Sequence, residues 1–183
     1  ATGVVVALGD GVDDLQVGDR VSAWRDNGHA RQGCYAQFVA LPADSLIRVP
    51  DHLPFPATAP VELAMCVAAA ILPPARAGEI AGKRMGVVGL GPAGLVAAQM
   101  LRAEGAASVT GFEVTPSRRT HAAPFCDAVH DPRDPNPPAC DAVVDCVGAK
   151  ASVEWALDHA RRWVALFGVQ REAYTFDVRH YTK

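Results

Sequence analysis

The sequence predicts an α/β protein in which a doubly wound parallel sheet is preceded by part of a β-rich lobe. Three observations support this fold class. Strand and helix patterns alternate after residue 82, a glycine-rich loop joins the first of those strands to a helix, and short strands with Gly/Asp turns occupy the first fifty residues. We therefore expect a partial β-rich domain at 1–60, a connecting helix and linker at 61–82, and the parallel-sheet domain at 83–183.

The first part of the chain contains short apolar runs separated by turn residues. Strands are expected at residues 4–8, 20–24, 35–41 and 45–49, with turns at Gly9-Asp10-Gly11 and Gly18-Asp19. From Pro56 the composition changes, and the alanine-rich residues 57–76 are typical of a helix.

The second part repeats a strand–helix pattern. Strands are expected at 84–88, 108–112, 128–130, 141–146 and 163–167, and helices at 92–104, 116–123 and 152–161. The connection at 131–139 contains four prolines and cannot hold a normal helix, so one covering helix is expected to be missing.

The composition is that of an ordinary globular protein. Of the 183 residues, 50% are hydrophobic and 20% are charged, and the net charge of −3 gives no electrostatic reason to expect nucleic acid or an anionic membrane as a partner. The five cysteines are odd in number and include no Cys-x-x-Cys pair, which argues against a disulfide framework. We therefore expect a cytoplasmic protein.

The glycine loop has the pattern Gly-x-Gly-x-x-Gly and comprises Gly89, Leu90, Gly91, Pro92, Ala93 and Gly94. It follows a predicted strand and opens a predicted helix, which is the context that a dinucleotide-binding Rossmann unit requires. The first glycine permits the tight turn, the second lets the backbone approach a pyrophosphate, and the third lets helix and strand pack closely. The helix start would bind the phosphates through its N–H groups.

An acidic residue completes the fingerprint. Glu113 ends the second strand of this unit, 19 residues beyond Gly94, where a carboxylate can accept hydrogen bonds from the adenosine ribose and would repel a 2′-phosphate. This pattern favours NAD over NADP. Arg118 and Arg119 are the counter-argument, because arginine is the residue that holds a 2′-phosphate, although Arg118 could equally flank the ribose.

The order of motifs resembles the medium-chain dehydrogenase/reductase superfamily, in its zinc-containing alcohol and polyol (sorbitol/threonine dehydrogenase-like) branch. The motifs are Val17-Gly18-Asp19-Arg20-Val21, then residues 33–39 (Gly-Cys-Tyr-Ala-Gln-Phe-Val), then residues 62–67 (Glu-Leu-Ala-Met-Cys-Val), then the Rossmann unit. The resemblance implies that the first lobe is GroES-like. It also implies that the chain is a middle portion of a dehydrogenase, with the Rossmann domain incomplete at its C-terminus.

The resemblance implies a catalytic zinc in the intact protein and leaves its ligands here open. Glu62 stands where polyol-dehydrogenase-like members supply a glutamate ligand, and Cys66 is the rival, because a cysteine occupies a nearby position in the alcohol-dehydrogenase pattern. Glutamate oxygen and cysteine sulfur both suit zinc. No cysteine lies between Val21 and Gly33, where the family carries a four-cysteine structural zinc loop, so we expect no structural zinc.

Further cofactor contacts are implied at two strand ends. Val147 and Gly148 follow the fourth strand, and Phe167, Gly168 and Val169 end the fifth. Ligands of parallel sheets sit outside the carboxyl ends of the strands, which supports this placement independently. Asp145 is expected to be structural, and no catalytic residue is assigned.

The function implied is NAD-dependent hydride transfer between a small alcohol, polyol or carbonyl compound and nicotinamide, with this chain supplying cofactor binding. A homo-oligomer is possible in the intact protein. Two alternatives stay open: a zinc-free, NADPH-dependent quinone or enone reductase-like enzyme, and a non-catalytic dinucleotide-binding module.

Overall fold

The computed structural model describes residues 1–24 and 33–180, which form two compact units, Ala1–Met65 and Cys66–Lys183. The described helices include none long and apolar enough to cross a membrane.

The described residues of the first unit contain a three-stranded antiparallel sheet. Its strands are β1 (Thr2–Val4), β2 (Arg20–Ala23) and β3 (Leu46–Arg48), with β2 in the centre. Arg20 connects this sheet to the chain beyond it, since its guanidinium donates to the carbonyls of Pro50, Asp51 and Leu53 at 2.9, 2.8 and 2.5 Å. The same group lies 4.4 Å from the centre of the Phe55 ring.

The strand predictions for this unit were partly wrong. The strand expected at 4–8 is β1 at Thr2–Val4, and the strand expected at 45–49 shortens to β3 after a 3-10 turn at Ala43–Ser45. Residues 35–41 form no strand, and Tyr35 and Phe38 are exposed. Among the described residues of this unit, none covers the Tyr35 and Phe38 side chains, so the apolar alternation there is not matched by burial.

Two helices replace the single helix expected at 57–76. They are α1 (Phe55–Thr58) and α2 (Val61–Arg76). Pro60 precedes α2 and lacks the N–H needed to continue the ladder, which accounts for the interruption. Val67 and Ile71, four residues apart on one face of α2, are fully buried.

The second unit is built on a five-stranded parallel sheet. Its strands, β4 (Arg84–Val88), β5 (Ser108–Phe112), β6 (Ala128–His130), β7 (Cys140–Asp145) and β8 (Ala160–Leu166), have the spatial order β6-β5-β4-β7-β8. The chain leaves β4 toward β5 and β6 on one side and later returns to β7 on the other. This reversal creates the switch point at which doubly wound sheets bind ligands, and it confirms the predicted fold class.

Helices α3 (Pro92–Ala103), α4 (Pro116–Ala122) and α5 (Lys150–His159) follow β4, β5 and β7. The proline-rich residues between β6 and β7 contain no helix, as predicted. Trp155 of α5 takes part of the place of the missing helix: its ring lies 4.5 Å from that of Phe112, and its indole N–H donates to the carbonyl of Pro132 at 3.0 Å.

Helix α3 approaches β4 closely at Gly94. A Cβ atom added to Gly94 would lie 1.9 Å from the carbonyl oxygen of Gly89, far inside van der Waals contact. The close approach is therefore possible only without a side chain. The core behind it is completed by fully buried side chains of the central strands, among them Met85, Val87, Val143 and Val144.

An ion pair joins the amino ends of β4 and β7. The Arg84 guanidinium donates to both carboxylate oxygens of Asp141, at 3.2 and 2.8 Å, and the Arg84 amide donates to Oδ2 at 2.9 Å. The hydrogen bonds from Arg84 lower the pKa of Asp141 to about 2. The carboxylate therefore stabilises the fold above its unfolded-state pKa of about 3.9, and the contribution is lost as pH falls toward 2.

We expect Asp141→Asn to lower the melting temperature at pH 5–7 by an amount that shrinks as the pH falls from 4 toward 2. Circular dichroism melts across this range provide the measurement. Asp134→Asn, which removes an exposed charge from the connection after β6, is the matched control. A melting-temperature difference that does not change with pH would show that the charge of Asp141 is not its source.

We expect Gly94→Ala to reduce the free energy of unfolding by about 1–3 kcal/mol or more, because the added methyl group forces α3 away from β4. Gly91→Ala is the control: its added Cβ would meet no atom within 4 Å, and a change within about 0.5 kcal/mol is expected. Urea denaturation measures both. Equal stability of the two variants would be incompatible with the packing described.

Candidate functional site

The glycine loop leaves open space above the start of α3. Gly89, directly after β4, has a left-handed φ of +83°, and an added Cβ would lie 2.4 Å from Cγ2 of Val147. Gly91 is the residue that caps α3, and Pro92 is the first residue of the helix. Because no atom lies within 4 Å of a Cβ built on Gly91, a ligand can approach the backbone there.

The residues between the glycines fix the loop to the sheet. Leu90 is buried against β5. A Cβ added to Gly111 of that strand would lie 2.7 Å from Cδ1 of Leu90. Ala93 lies in the first turn of α3 and is half-buried. The turn geometry is thus held by packing of Leu90 against the neighbouring strand.

Glu113 joins the glycine loop to the carboxyl end of β5. Its side chain is buried, Oε2 accepts a hydrogen bond from the Leu90 amide at 3.0 Å, and Oε1 accepts one from the Thr115 amide at 2.9 Å. Burial by itself would raise the pKa of Glu113. The two amides and the charge of Arg118 outweigh burial, so the pKa lies below its usual value and the group is ionised at neutral pH.

The two arginines of α4 differ in their surroundings. Arg118 is exposed, and its Nη1 atom lies 3.9 Å from Oε2 of Glu113. Arg119 is mostly enclosed and donates from Nη1 to the backbone carbonyls of Glu113 and Val114 at 2.7 and 3.0 Å. Both guanidinium groups therefore border the position at which the sequence predicts the adenosine ribose.

The ends of β7 and β8 meet through backbone atoms. Gly148 has a φ of +76°, and a Cβ added to it would lie 2.4 Å from the carbonyl oxygen of Val169. A Cβ on Gly168 would lie 2.3 Å from the amide nitrogen of Gly148. The Val147 and Val169 side chains are exposed beside this contact, and Phe167 is half-buried.

Asp145 holds this contact in place. It is fully buried at the end of β7, and its Oδ2 and Oδ1 atoms accept hydrogen bonds from the amides of Gly148 and Val147 at 2.9 and 3.4 Å. Its backbone carbonyl accepts from the amides of Phe167 and Gly168 at 3.0 and 2.8 Å. The residue thus orders two strand ends without facing solvent.

The two zinc-ligand candidates lie on α2. Glu62 and Cys66, one turn apart, are both exposed. Within residues 1–24 and 33–180, no group of three or more His, Cys, Asp or Glu side chains could hold a metal ion. We expect no structural zinc because no cysteine lies between Val21 and Gly33. Residues 25–32 of that segment lie outside the described residues.

Sequence reasoning missed two features of this region. The Leu90 amide as a partner of Glu113 has no signature in the sequence, because any residue other than proline at position 90 supplies the same N–H group. Asp131 is the second: it pairs with Arg119 at 3.1 Å. Its place directly after β6, at the carboxyl end of a parallel strand, was the available signal.

Comparison with known proteins gives one domain match and a similar curated protein. Residues 1–51 match the alcohol dehydrogenase GroES-like domain. The (R,R)-butanediol dehydrogenase of Bacillus subtilis (strain 168) is 29% identical over 153 residues, which cover 72% of this chain and 42% of that protein.

Solved dehydrogenase structures share the fold over nearly the whole chain. Galactitol-1-phosphate dehydrogenase from Escherichia coli superposes with a TM-score of 0.82 at 20% identity, over 99% of this chain and 62% of that one. A structure from Sinorhizobium meliloti 1021, described as a zinc-binding dehydrogenase bound to NADP, gives 0.86 at 22% identity, over 99% and 64%. The chain thus spans less than two thirds of the length of these relatives.

The domain match, the butanediol dehydrogenase relative and the shared fold agree with the order of motifs along the sequence. Residues 1–51 thus match a GroES-like domain of alcohol dehydrogenases, and the described chain shares its fold with solved dehydrogenase structures.

Proposed function

We propose that this chain binds NAD(H) through its second unit, and that the protein is a zinc-type alcohol or polyol dehydrogenase. The observation that carries the proposal is the loop geometry: Gly94 packs against Gly89 while the space at Gly91, above the start of α3, stays open. A side chain at either position would occupy room that the helix or a pyrophosphate needs. The glycines present therefore fit a dinucleotide.

The pyrophosphate would lie at the amino end of α3. The first N–H groups of a helix have no carbonyl partner within it, and the helix dipole favours negative charge there. Pro92, which lacks an N–H, leaves the amides of Gly91, Ala93 and Gly94 as the donors. Leu90 and Ala93 are uncharged and would not repel the pyrophosphate.

The adenosine ribose would lie against Glu113. Each carboxylate oxygen accepts one backbone N–H and has capacity for a second hydrogen bond, which a ribose hydroxyl can donate. A 2′-phosphate at the same place would face an ionised carboxylate. This charge supports NAD in preference to NADP, with Arg118 flanking the ribose.

The cofactor would pass the end of β7, and its nicotinamide half would extend toward the end of β8. Phe167, Gly168 and Val169 at the end of β8 would approach the nicotinamide, and Val147 and Gly148 at the end of β7 would lie beneath the adenosine half. Asp145 holds both strand ends in position. The cofactor supplies the hydride chemistry, and these residues supply orientation. The substrate class proposed is a small alcohol or polyol, or the corresponding carbonyl compound.

Zinc, when bound in a dehydrogenase of this type, polarises the substrate oxygen as a Lewis acid. Glu62 is the ligand that we propose from this chain, with Cys66 as the rival. Neither has two further ligating side chains beside it among the described residues, so these residues alone do not form a metal site.

The cofactor preference provides the test. We expect the chain to bind NADH at least about tenfold more tightly than NADPH, measured by isothermal titration calorimetry, because a phosphate near Glu113 is repelled. Glu113→Gln removes that charge and should reduce the ratio of the two dissociation constants. Melting temperatures of both proteins would show whether the loop stays folded.

Glu104→Gln is the matched control, since it removes the same charge just beyond the far end of α3, about 18 Å along the helix from the loop. It should leave both dissociation constants unchanged. Tighter binding of NADPH than of NADH would instead support the zinc-free reductase alternative, and binding of neither would refute the proposal.

A further inference from the structure

Asp131 connects two arginines at the carboxyl ends of β5 and β6. It follows β6 directly, and its Oδ2 atom lies 3.1 Å from Nη1 of Arg119 on α4. Arg133, two residues further on, donates from Nε to Oδ1 at 2.8 Å and from Nη2 to Oδ2 at 2.6 Å. The Arg133 amide also donates to Oδ1 at 3.0 Å. One carboxylate thus holds two guanidinium groups.

Both guanidinium groups lie beside the segment that follows β5. Arg119 donates to the carbonyls of Glu113 and Val114, and Nη2 of Arg133 lies 3.4 Å from the Val114 carbonyl oxygen. Glu113 is the residue that we propose to accept the ribose hydroxyls. The arginines that Asp131 holds are therefore next to the position that separates NAD from NADP.

The charges around this position are nearly balanced. Arg118, Arg119 and Arg133 contribute three positive charges, and Glu113 and Asp131 contribute two negative charges. The hydrogen bonds and charge of Arg133, together with Arg119, hold the pKa of Asp131 well below its usual range. The carboxylate is therefore ionised at neutral pH and competes with any other anion for both arginines.

Such competition has a specific chemical consequence. A guanidinium group binds carboxylate and phosphate with the same planar array of N–H donors, and a bidentate pair with one anion uses the donors that the other would need. Arg133 makes such a pair with Asp131, and Arg119 is shared between Asp131 and two carbonyls. A phosphate arriving here would have to displace the carboxylate or lie next to it.

We propose that Asp131 is a specificity-determining residue for the cofactor: by engaging Arg119 and Arg133 it withholds them from a 2′-phosphate and so strengthens the preference for NAD(H). The residue acts through the two arginines and has no contact of its own with the reacting atoms. The inference rests on the proposed nucleotide site and adds a second determinant to the repulsion exerted by Glu113.

The test is Asp131→Asn in the whole chain, with dissociation constants for NADH and NADPH measured by calorimetry. Loss of the charge frees the arginines, so NADPH binding should tighten about tenfold while NADH binding changes by less than about twofold. Arg133 is the more exposed arginine, and Asp131→Asn combined with Arg133→Gln should reverse most of the gain.

Asp134→Asn is the matched control, because Asp134 lies in the same loop and acts on Arg133 through its charge. It should change the NADPH affinity much less than Asp131→Asn does. An unchanged NADPH-to-NADH ratio in folded Asp131→Asn, or an equal gain in Asp134→Asn, would overturn the inference.

The remaining outcomes are also decisive. Loss of a cooperative melting transition in Asp131→Asn would overturn the inference, since the carboxylate would then be needed for folding and not for selectivity. Failure of the unmodified chain to bind either nucleotide would refute the proposed function itself, which distinguishes that failure from failure of the role given to Asp131.

Discussion

The hydrogen bonds from the Leu90 and Thr115 amides to the Glu113 carboxylate are the constraint on which the rest of the candidate site depends. They join the loop after β4 to the segment after β5, and both donors are backbone groups whose position the sheet fixes. A buried carboxylate without such partners would be costly, so the loop and the acid stabilise each other. Arg118 and Arg119 lie beside Glu113, because its carboxylate attracts the first and its backbone carbonyl accepts a hydrogen bond from the second.

A buried carboxylate also orders backbone amides at the ends of β7 and β8. There Asp145 is fully buried, and its carboxylate and its carbonyl together accept four amide hydrogen bonds that join the ends of β7 and β8. Gly148 and Gly168 allow the backbones to touch. Each half thus has one acidic residue that orders main-chain groups, and the surface offered to a ligand consists largely of backbone and glycine. The geometry of such a site therefore depends on the backbone positions that the fold sets more than on the identity of most side chains.

The sequence predicted the second unit better than the first. The bounds of β4, β5 and β6 agree with expectation, because each is a short run between clear turn residues. β4 and β5 are largely buried, and the edge strand β6 is half-buried. Residues 35–41 have a similar pattern but are largely exposed and form no strand, so apolar alternation alone was not enough to predict one. The pattern placed Glu113 at a strand end but could not show that Leu90 and Thr115 occupy it. The position of Asp131 after β6 marked it as a candidate, but its pairing with Arg119 on another element could not be read from the sequence.

Hydrogen–deuterium exchange with and without saturating NADH tests the central claim most directly, because it reads the backbone groups that we assign to the cofactor. Exchange should slow in peptides covering residues 89–95, 113–119, 147–149 and 167–169, and should stay unchanged in β1, β2 and β3. The opposite finding, no slowing at the glycine loop or slowing confined to the first unit, would contradict the account.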